Sequence, residues 1–598
     1  MALKNNLHIK SNRVFTYYFL CARGVGILSS FFSVNNLNEI QWCISYSISS
    51  NGEVFIEKNT DNGNSLFQLD KEKSSILHKD GYSYYRPVAT EDFLVFFSEK
   101  ENNLSLLTMN LKNNKIHVII ENFKGNILSI VPYDKKHFLF TRTDAAGENE
   151  LIMIPYESSS CVNKMFVIPK GNSLVSMKLD VSIKKDTLFI LKKNESTSFA
   201  LCVSFSKQYR YKEIFKPTGS MFLISAKWSP NGKYICCMYR EQGKHKVVII
   251  NIENNENTHL DLPSVTEQPI WYDDNETLLL PIDDWPYTSL YKYNFKKRQY
   301  TKLEVNFKGV ISQIKFYGNK IYFLGTTPNI PSSLFSYDNT TGRFEHLTKN
   351  SISSINLKEM VVKIPSGENF EIPCILYESK KKIKASIVML HGGPSGSWTI
   401  NWSPVVQAFV ANGFNVLLVN PRGSTIRTTP LPLMKKGDFG VKDCEDVITC
   451  INWLIEEGYG QKGNVHIYGH SYGGFLAYQT GKKSTDLSSV IITSSYLENH
   501  ALLKSNNLLV RSFATNVFLD EQLKDKAERI NSPILQINGA KDSQIPINVV
   551  KEMFDKIKGE KDKFIELTNE GHAFKRKENM VKWIEAAVEF LLNNNKAK

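Results

Sequence analysis

A chain of 598 residues is too long for one hydrophobic core and divides into about two to four domains. Its 42% hydrophobic and 22% charged content is that of a folded globular protein and excludes disordered and fibrous classes. The formal charge of +13 comes from lysines scattered among Asn and Glu, without the basic stripe of a nucleic-acid binder, and the nine cysteines form no CxxC pair of a metal or disulfide framework.

The chain opens on an apolar stretch, Val14 to Val34, preceded by Lys4, Lys10 and Arg13. Arg23 stands at its centre, where a charge costs about 2.5–3.5 kcal/mol on insertion scales, and no small-residue cleavage site follows. Residues 1–40 are therefore expected to pack on the body of the protein, with no membrane partner and a cytoplasmic location. Isolated cysteines such as Cys21, Cys161, Cys374 and Cys450 fit that reading as reduced thiols.

Residues 41–350 carry a long beat. Apolar strand cores start at Val54, Leu94, Phe138, Leu188, Tyr234, Leu278 and Ile321, at intervals of 40 to 50 residues. Most are followed by a polar turn and a second strand, as in "HKVVIINI" and "SLYKYN". Ahead of the fifth, Trp228 ends one strand and Pro230-Asn231-Gly232 turns the chain into the next. Adjacent Cys236 and Cys237 should then face opposite sides of their strand. Four short strands per repeat at this period predict an all-β propeller of seven blades, against a tandem β-sandwich whose strands would recur every 8–12 residues without the longer beat.

Residues 351–598 read differently. A hairpin, "VVKIPS" and "FEIPCILYE" around Gly367-Glu368-Asn369, precedes buried-type strands at "SIVMLH", "NVLLVN", "NVHIY", "SVIITS", "PILQIN" and "FIEL". Helical stretches at Val441–Gly458 and Val581–Asn594 lie among them. Continuous Val/Ile/Leu strands alternating with amphipathic helices predict a mostly parallel, doubly wound sheet, whose sites form at the carboxyl ends of its strands.

Three such ends carry chemistry. "NVHIY" runs into Gly469-His470-Ser471-Tyr472-Gly473-Gly474, a G-x-S-x-G elbow, with the following helix expected from Phe475. A serine hydroxyl needs a base, and the base an orienting carboxylate. Asp542 follows "PILQIN" and His572 follows "FIEL", in the order Ser, Asp, His of an α/β-hydrolase. Alone, Asp542 reads as a turn residue and His572 as a surface histidine; together, after successive strands, they read as a triad. Acyl transfer also needs amides aimed at the developing oxyanion, and Tyr472 and Gly393, the latter in the His391-Gly392-Gly393-Pro394 loop, are the residues placed to give them.

These motifs, with "NPRGST", "GDFGVKDCEDV", "GAKDSQIP" and "EGHAF", resemble the prolyl oligopeptidase family of serine peptidases, and the HGGP run resembles its acylaminoacyl-peptidase-like branch. The resemblance implies an amino-terminal propeller on a carboxyl-terminal hydrolase domain, a triad of Ser471, Asp542 and His572, and an oxyanion hole from Gly393 and Tyr472. It also implies short-peptide or acyl-peptide substrates admitted to a cavity between the domains, copies that can self-associate, and a structural or substrate-orienting role for Arg422. Two departures stand out: "IRTTPLPLMKK" follows "RGST" in place of a Gly- and Tyr-containing run, and Asn538 occupies a position where histidine is common. Neither removes a catalytic atom, but both bear on pocket shape, so exopeptidase specificity does not transfer. No acidic pair assignable to gripping a free amine is visible in the propeller.

The resulting expectation is a serine peptidase acting on short peptides without metal or cofactor. The alternatives are an esterase, an acyl-amino-acid hydrolase or an acyl transferase or cyclase on a peptide-like metabolite, and, more remotely, a non-catalytic propeller scaffold.

Overall fold

The computed structural model describes residues 40–596, with interruptions of at most six residues. The apolar stretch Val14–Val34 and the thiols Cys21 and Cys161 lie outside the described residues.

Seven antiparallel sheets succeed one another from Cys43 to His346, each built from strands consecutive in sequence. Six have four strands; the fourth adds the short strand Asp180–Val181. Every apolar beat read from the sequence is the second strand of a blade: Val54–Thr60, Phe93–Lys100, His137–Thr143, Thr187–Lys193, Tyr234–Glu241, Thr277–Asp284 and Lys320–Thr327. The reason is burial on both faces. Successive residues of these strands enter the cores on either side of the blade, Phe138 and Leu139 going to different clusters, as do Leu188 and Phe189. Cys236 and Cys237 divide in the same way. Outer strands touch little: all four residues of Gln299–Lys302 are exposed.

The first and seventh blades meet without exchanging a strand. Cys43, Tyr46, Val54 and Ile56 share a core with Leu324 and Leu334. Tyr46 Oη donates to the Gln313 and Tyr322 carbonyls, and Gln313 Nε2 donates back to Ile44 O at 2.8 Å. Lys315 Nζ donates to Tyr46 O, and burial lowers the pKa of this lysine to about 8.

The second domain is built on an eight-stranded sheet. Its spatial order is Glu359–Ser366, Phe370–Tyr377, Asn415–Val419, Ser386–Leu390, Val465–His470, Leu487–Thr493, Ile534–Gly539 and Lys563–Leu567. The first two pairs in this order are antiparallel and the remaining five are parallel. Both faces are covered: Val388 and Ile467 enter a core with the helices Lys442–Glu456 and Tyr472–Lys483. Met389 and Tyr468 enter another with Pro404–Ala411 and Lys577–Asn593. The chain is therefore a seven-bladed propeller joined to an α/β-hydrolase domain. Among the described residues no helix is long and apolar enough to cross a membrane.

Candidate active site

The elbow is strained where the serine sits. Ser471 has φ 53° and ψ −122°, outside the ordinary regions for an L-residue, and such strain persists where surrounding structure over-determines it. Its amide donates to Thr493 O at 2.9 Å and its carbonyl accepts from Ser495 Oγ at 2.6 Å. Two glycines let the backbone pass. A side chain at Gly469 would collide with the Gly473 carbonyl, and one at Gly473 would stand 2.5 Å from the Leu390 and His391 carbonyl oxygens. The helix starts at Tyr472, a turn before the position read from sequence, because tertiary contact overrides the poor helix propensity of Gly473 and Gly474.

Three separate loops meet at this point. His572 Nε2 lies 2.9 Å from Ser471 Oγ, and His572 Nδ1 lies 2.8 Å from Asp542 Oδ2. A carboxylate accepts only, so Asp542 fixes the proton on Nδ1 and leaves Nε2 as the acceptor facing the serine hydroxyl. Asp542 is held in turn by the Gln544 and Ile545 amides, which donate to Oδ1 at 2.8 and 3.0 Å, and its side chain is fully buried. The Asp and His loops are tied through their backbones, Lys541 N donating to Glu570 O at 2.8 Å. Buried Glu570 accepts from the Lys575 and Arg576 amides and from Asn579 Nδ2, which braces the loop that presents His572.

The HGGP loop runs beside the serine: a side chain at Gly392 would lie 3.3 Å from Ser471 Cβ. Among the described residues neither the Gly393 amide nor the Tyr472 amide is committed to a protein acceptor. The loop is held from behind. Asn420 Oδ1 accepts from Trp398 N at 2.6 Å, and Thr425 donates through its amide to Gly396 O and through Oγ1 to Ser395 O, both at 2.9 Å. His391 Nε2 lies 2.8 Å from Ser424 Oγ. Burial lowers the pKa of His391 to about 4, and burial together with the nearby His572 does the same for His470. Both flanking imidazoles are thus neutral at neutral pH.

The Tyr472 phenol donates to Asp443 Oδ2 at 2.5 Å, and burial raises the Asp443 pKa to about 7. Arg422 lies in a buried ion pair: Nε and Nη2 donate to Asp446 Oδ2 and Oδ1 at 2.9 and 2.7 Å, and its own amide donates to Oδ2 at 2.9 Å. The guanidinium also stacks 5.0 Å from the Phe370 ring centroid. A cavity of about 180 Å³ is lined by His470 together with Tyr468, Thr493, Phe574 and Trp583 among others. No group of described residues has the makeup of a metal site.

Ser495, Asp443 and Glu570 escaped the sequence reading. Asp443 lies within a quoted motif, but nothing in its spacing reveals that it meets Tyr472.

Residues 398–598 match the model of the Prolyl oligopeptidase family. The second domain is a prolyl oligopeptidase family domain. The chain is 26% identical over 189 residues to the acylamino-acid-releasing enzyme of Sus scrofa, a match covering 29% of this chain and about a quarter (26%) of that enzyme. Two solved structures share the architecture almost end to end. A puromycin-hydrolyzing peptidase of Mycobacterium tuberculosis aligns with TM-score 0.79 at 13% identity, covering 95% of this chain and 96% of its own. The Pyrococcus horikoshii acylaminoacyl peptidase aligns with TM-score 0.74 at 15% identity, covering 95% and 98%. At such identities the likeness establishes the shared fold of propeller and prolyl oligopeptidase domain.

Proposed function

We propose that this protein is a serine peptidase that cleaves peptide bonds in short peptides through an acyl-enzyme on Ser471. The observation that carries the reading is the relay from Asp542 to His572 to Ser471, with hydrogen-bond distances of 2.8 and 2.9 Å, assembled from three strand ends. In this reading His572 Nε2 takes the hydroxyl proton as Ser471 Oγ attacks the scissile carbonyl, and Asp542 stabilises the imidazolium. The Gly393 and Tyr472 amides receive the oxyanion, each worth about 2.7–4 kcal/mol by the behaviour of such donors. His572 then protonates the leaving amine, and water activated by the same imidazole hydrolyses the ester. Of the two roles open to Arg422, its burial against Asp446 supports the structural one.

The relatives are named for releasing acylamino acids and for hydrolysing puromycin, which supports short substrates here. The propeller limits what reaches the serine. The described cysteines are buried, which supports a reducing compartment. The HGGP-type loop supports self-association of copies.

The deciding experiment is cleavage of a mixed peptide library with free and blocked amino termini, read by mass spectrometry against Ser471→Ala. Serine-dependent cleavage of short peptides is expected, and the blocked set sorts exo- from endopeptidase. Turnover of esters with no peptide cut in either set would overturn the peptidase reading in favour of an esterase.

A further inference from the structure

The oxyanion loop is gripped from outside its own domain. Trp285 and Pro286 form the two-residue tip between the strands Thr277–Asp284 and Tyr287–Asn294 of the sixth blade. From there the Trp285 indole packs against the hydrolase core, and its Nε1–H donates to the Trp398 carbonyl at 2.8 Å. Trp398 is the residue that closes the HGGP loop. Its indole Nε1 donates to Met389 O at 2.9 Å, at the end of the strand from which the loop departs, and its amide donates to Asn420 Oδ1 at 2.6 Å. The chain between Met389 and Trp398 is therefore drawn into a ring that contains Gly393.

Three of the bonds that fix Trp398 come from the hydrolase domain: two are those of its indole and amide, and the third is a long contact from Asn420 Nδ2 to the Trp398 carbonyl at 3.4 Å. The short bond to that carbonyl is the one from Trp285. An oxyanion donor acts only if its N–H points at the position the oxygen will take, and misplacement by about 1 Å can cost about 100-fold in rate. We infer that Trp285 is a positioning residue for the proposed acyl transfer: the propeller sets the orientation of the Gly393 amide through the Trp285 to Trp398 hydrogen bond. The inference rests on the serine-hydrolase reading of the site. It gives the sixth blade a part in transition-state binding besides the restriction of entry, and it makes a docked propeller a condition for an assembled oxyanion hole.

The test is Trp285→Phe, which removes the N–H and keeps most of the ring, compared with Tyr287→Phe. The second variant removes a 3.1 Å bond from the same blade to Glu359, remote in sequence from the HGGP loop. Each is assayed for kcat and KM on a small chromogenic acyl substrate and for affinity toward a peptide aldehyde, whose adduct with the serine carries an oxyanion. Trp285→Leu is taken as a second variant in case the phenylalanine form folds poorly. For Trp285→Phe we expect kcat and aldehyde affinity to fall together by about tenfold, with KM within twofold of wild type, while Tyr287→Phe leaves all three within twofold. Unchanged kcat in a folded Trp285 variant, a change confined to KM, or an equal loss in Tyr287→Phe would overturn the inference alone. A wild type inert toward a fluorophosphonate would overturn the hydrolase reading and this inference with it.

Discussion

Replacing Arg422 by Met tests the physical reading of the buried ion pair. The side chains of Arg422 and Asp446 are 3% and 0% exposed, and three N–H groups of Arg422 converge on the two carboxylate oxygens. Removing the cation leaves Asp446 buried beside the sheet with its strongest donors gone. Breaking one partner of such a pair costs about 3–5 kcal/mol, because the remaining charge keeps its desolvation penalty. At about 2–4 °C per kcal/mol for a domain of this size, the hydrolase transition should fall by roughly 6–20 °C. The double variant Arg422→Met/Asp446→Leu removes both charges and should recover at least half of that loss. Differential scanning calorimetry reads the midpoints, and kcat/KM of the folded fraction should stay within severalfold. A midpoint within 2 °C of wild type, together with a KM raised tenfold or more, would refute the structural role and reinstate a substrate-orienting one.

Asp542→Asn leaves the loop intact but no longer dictates which His572 nitrogen carries the proton; kcat on a peptide substrate should fall by about 10⁴-fold with KM little changed, and a loss under tenfold contradicts the relay. Gly473→Ala places a carbon 2.5 Å from two backbone carbonyl oxygens, so Ser471-dependent turnover should vanish and the hydrolase midpoint should drop; near-normal activity contradicts the elbow geometry. His466 is fully buried, its Nε2 has no partner among the described residues, and burial lowers its pKa to about 3. Its folded pKa lies below the unfolded value of about 6.5, so the unfolded chain binds the extra proton in between. Its contribution is intact above about pH 6.5 and is lost as pH falls toward 3, by up to about 1.4 kcal/mol per pH unit. His466→Asn should flatten the fall of urea midpoints between pH 7 and 4, and equal slopes in the two proteins would contradict this.

The seven blades were legible because their second strands carry compact apolar cores, a consequence of burial against two neighbours that sequence registers directly. The outer strands, short and wetted, left no pattern; Gln299–Lys302 is an example. In the second domain the parallel strands announced themselves by unbroken Val/Ile/Leu runs. The helix Pro404–Ala411 did not, because residues 405–410 are buried all round and carry no amphipathic period. Ser471, Asp542 and His572 could be named from chain order and strand–turn context. What holds them could not. Ser495, Asp443 and Glu570 act through side-chain hydrogen bonds that leave no mark in the spacing of the sequence, and Trp285 lies 113 residues from its partner Trp398, a separation that no periodicity encodes. For Arg422 the motif gave a position without a contact, and Asp446 supplies it.

The most direct test of the account is labelling by a fluorophosphonate, followed by digestion and mass spectrometry of the modified peptide. The account predicts one adduct per chain, on Ser471, formed in wild type and strongly slowed in His572→Ala. Folded wild-type protein left unmodified, or modified at another serine, would contradict it.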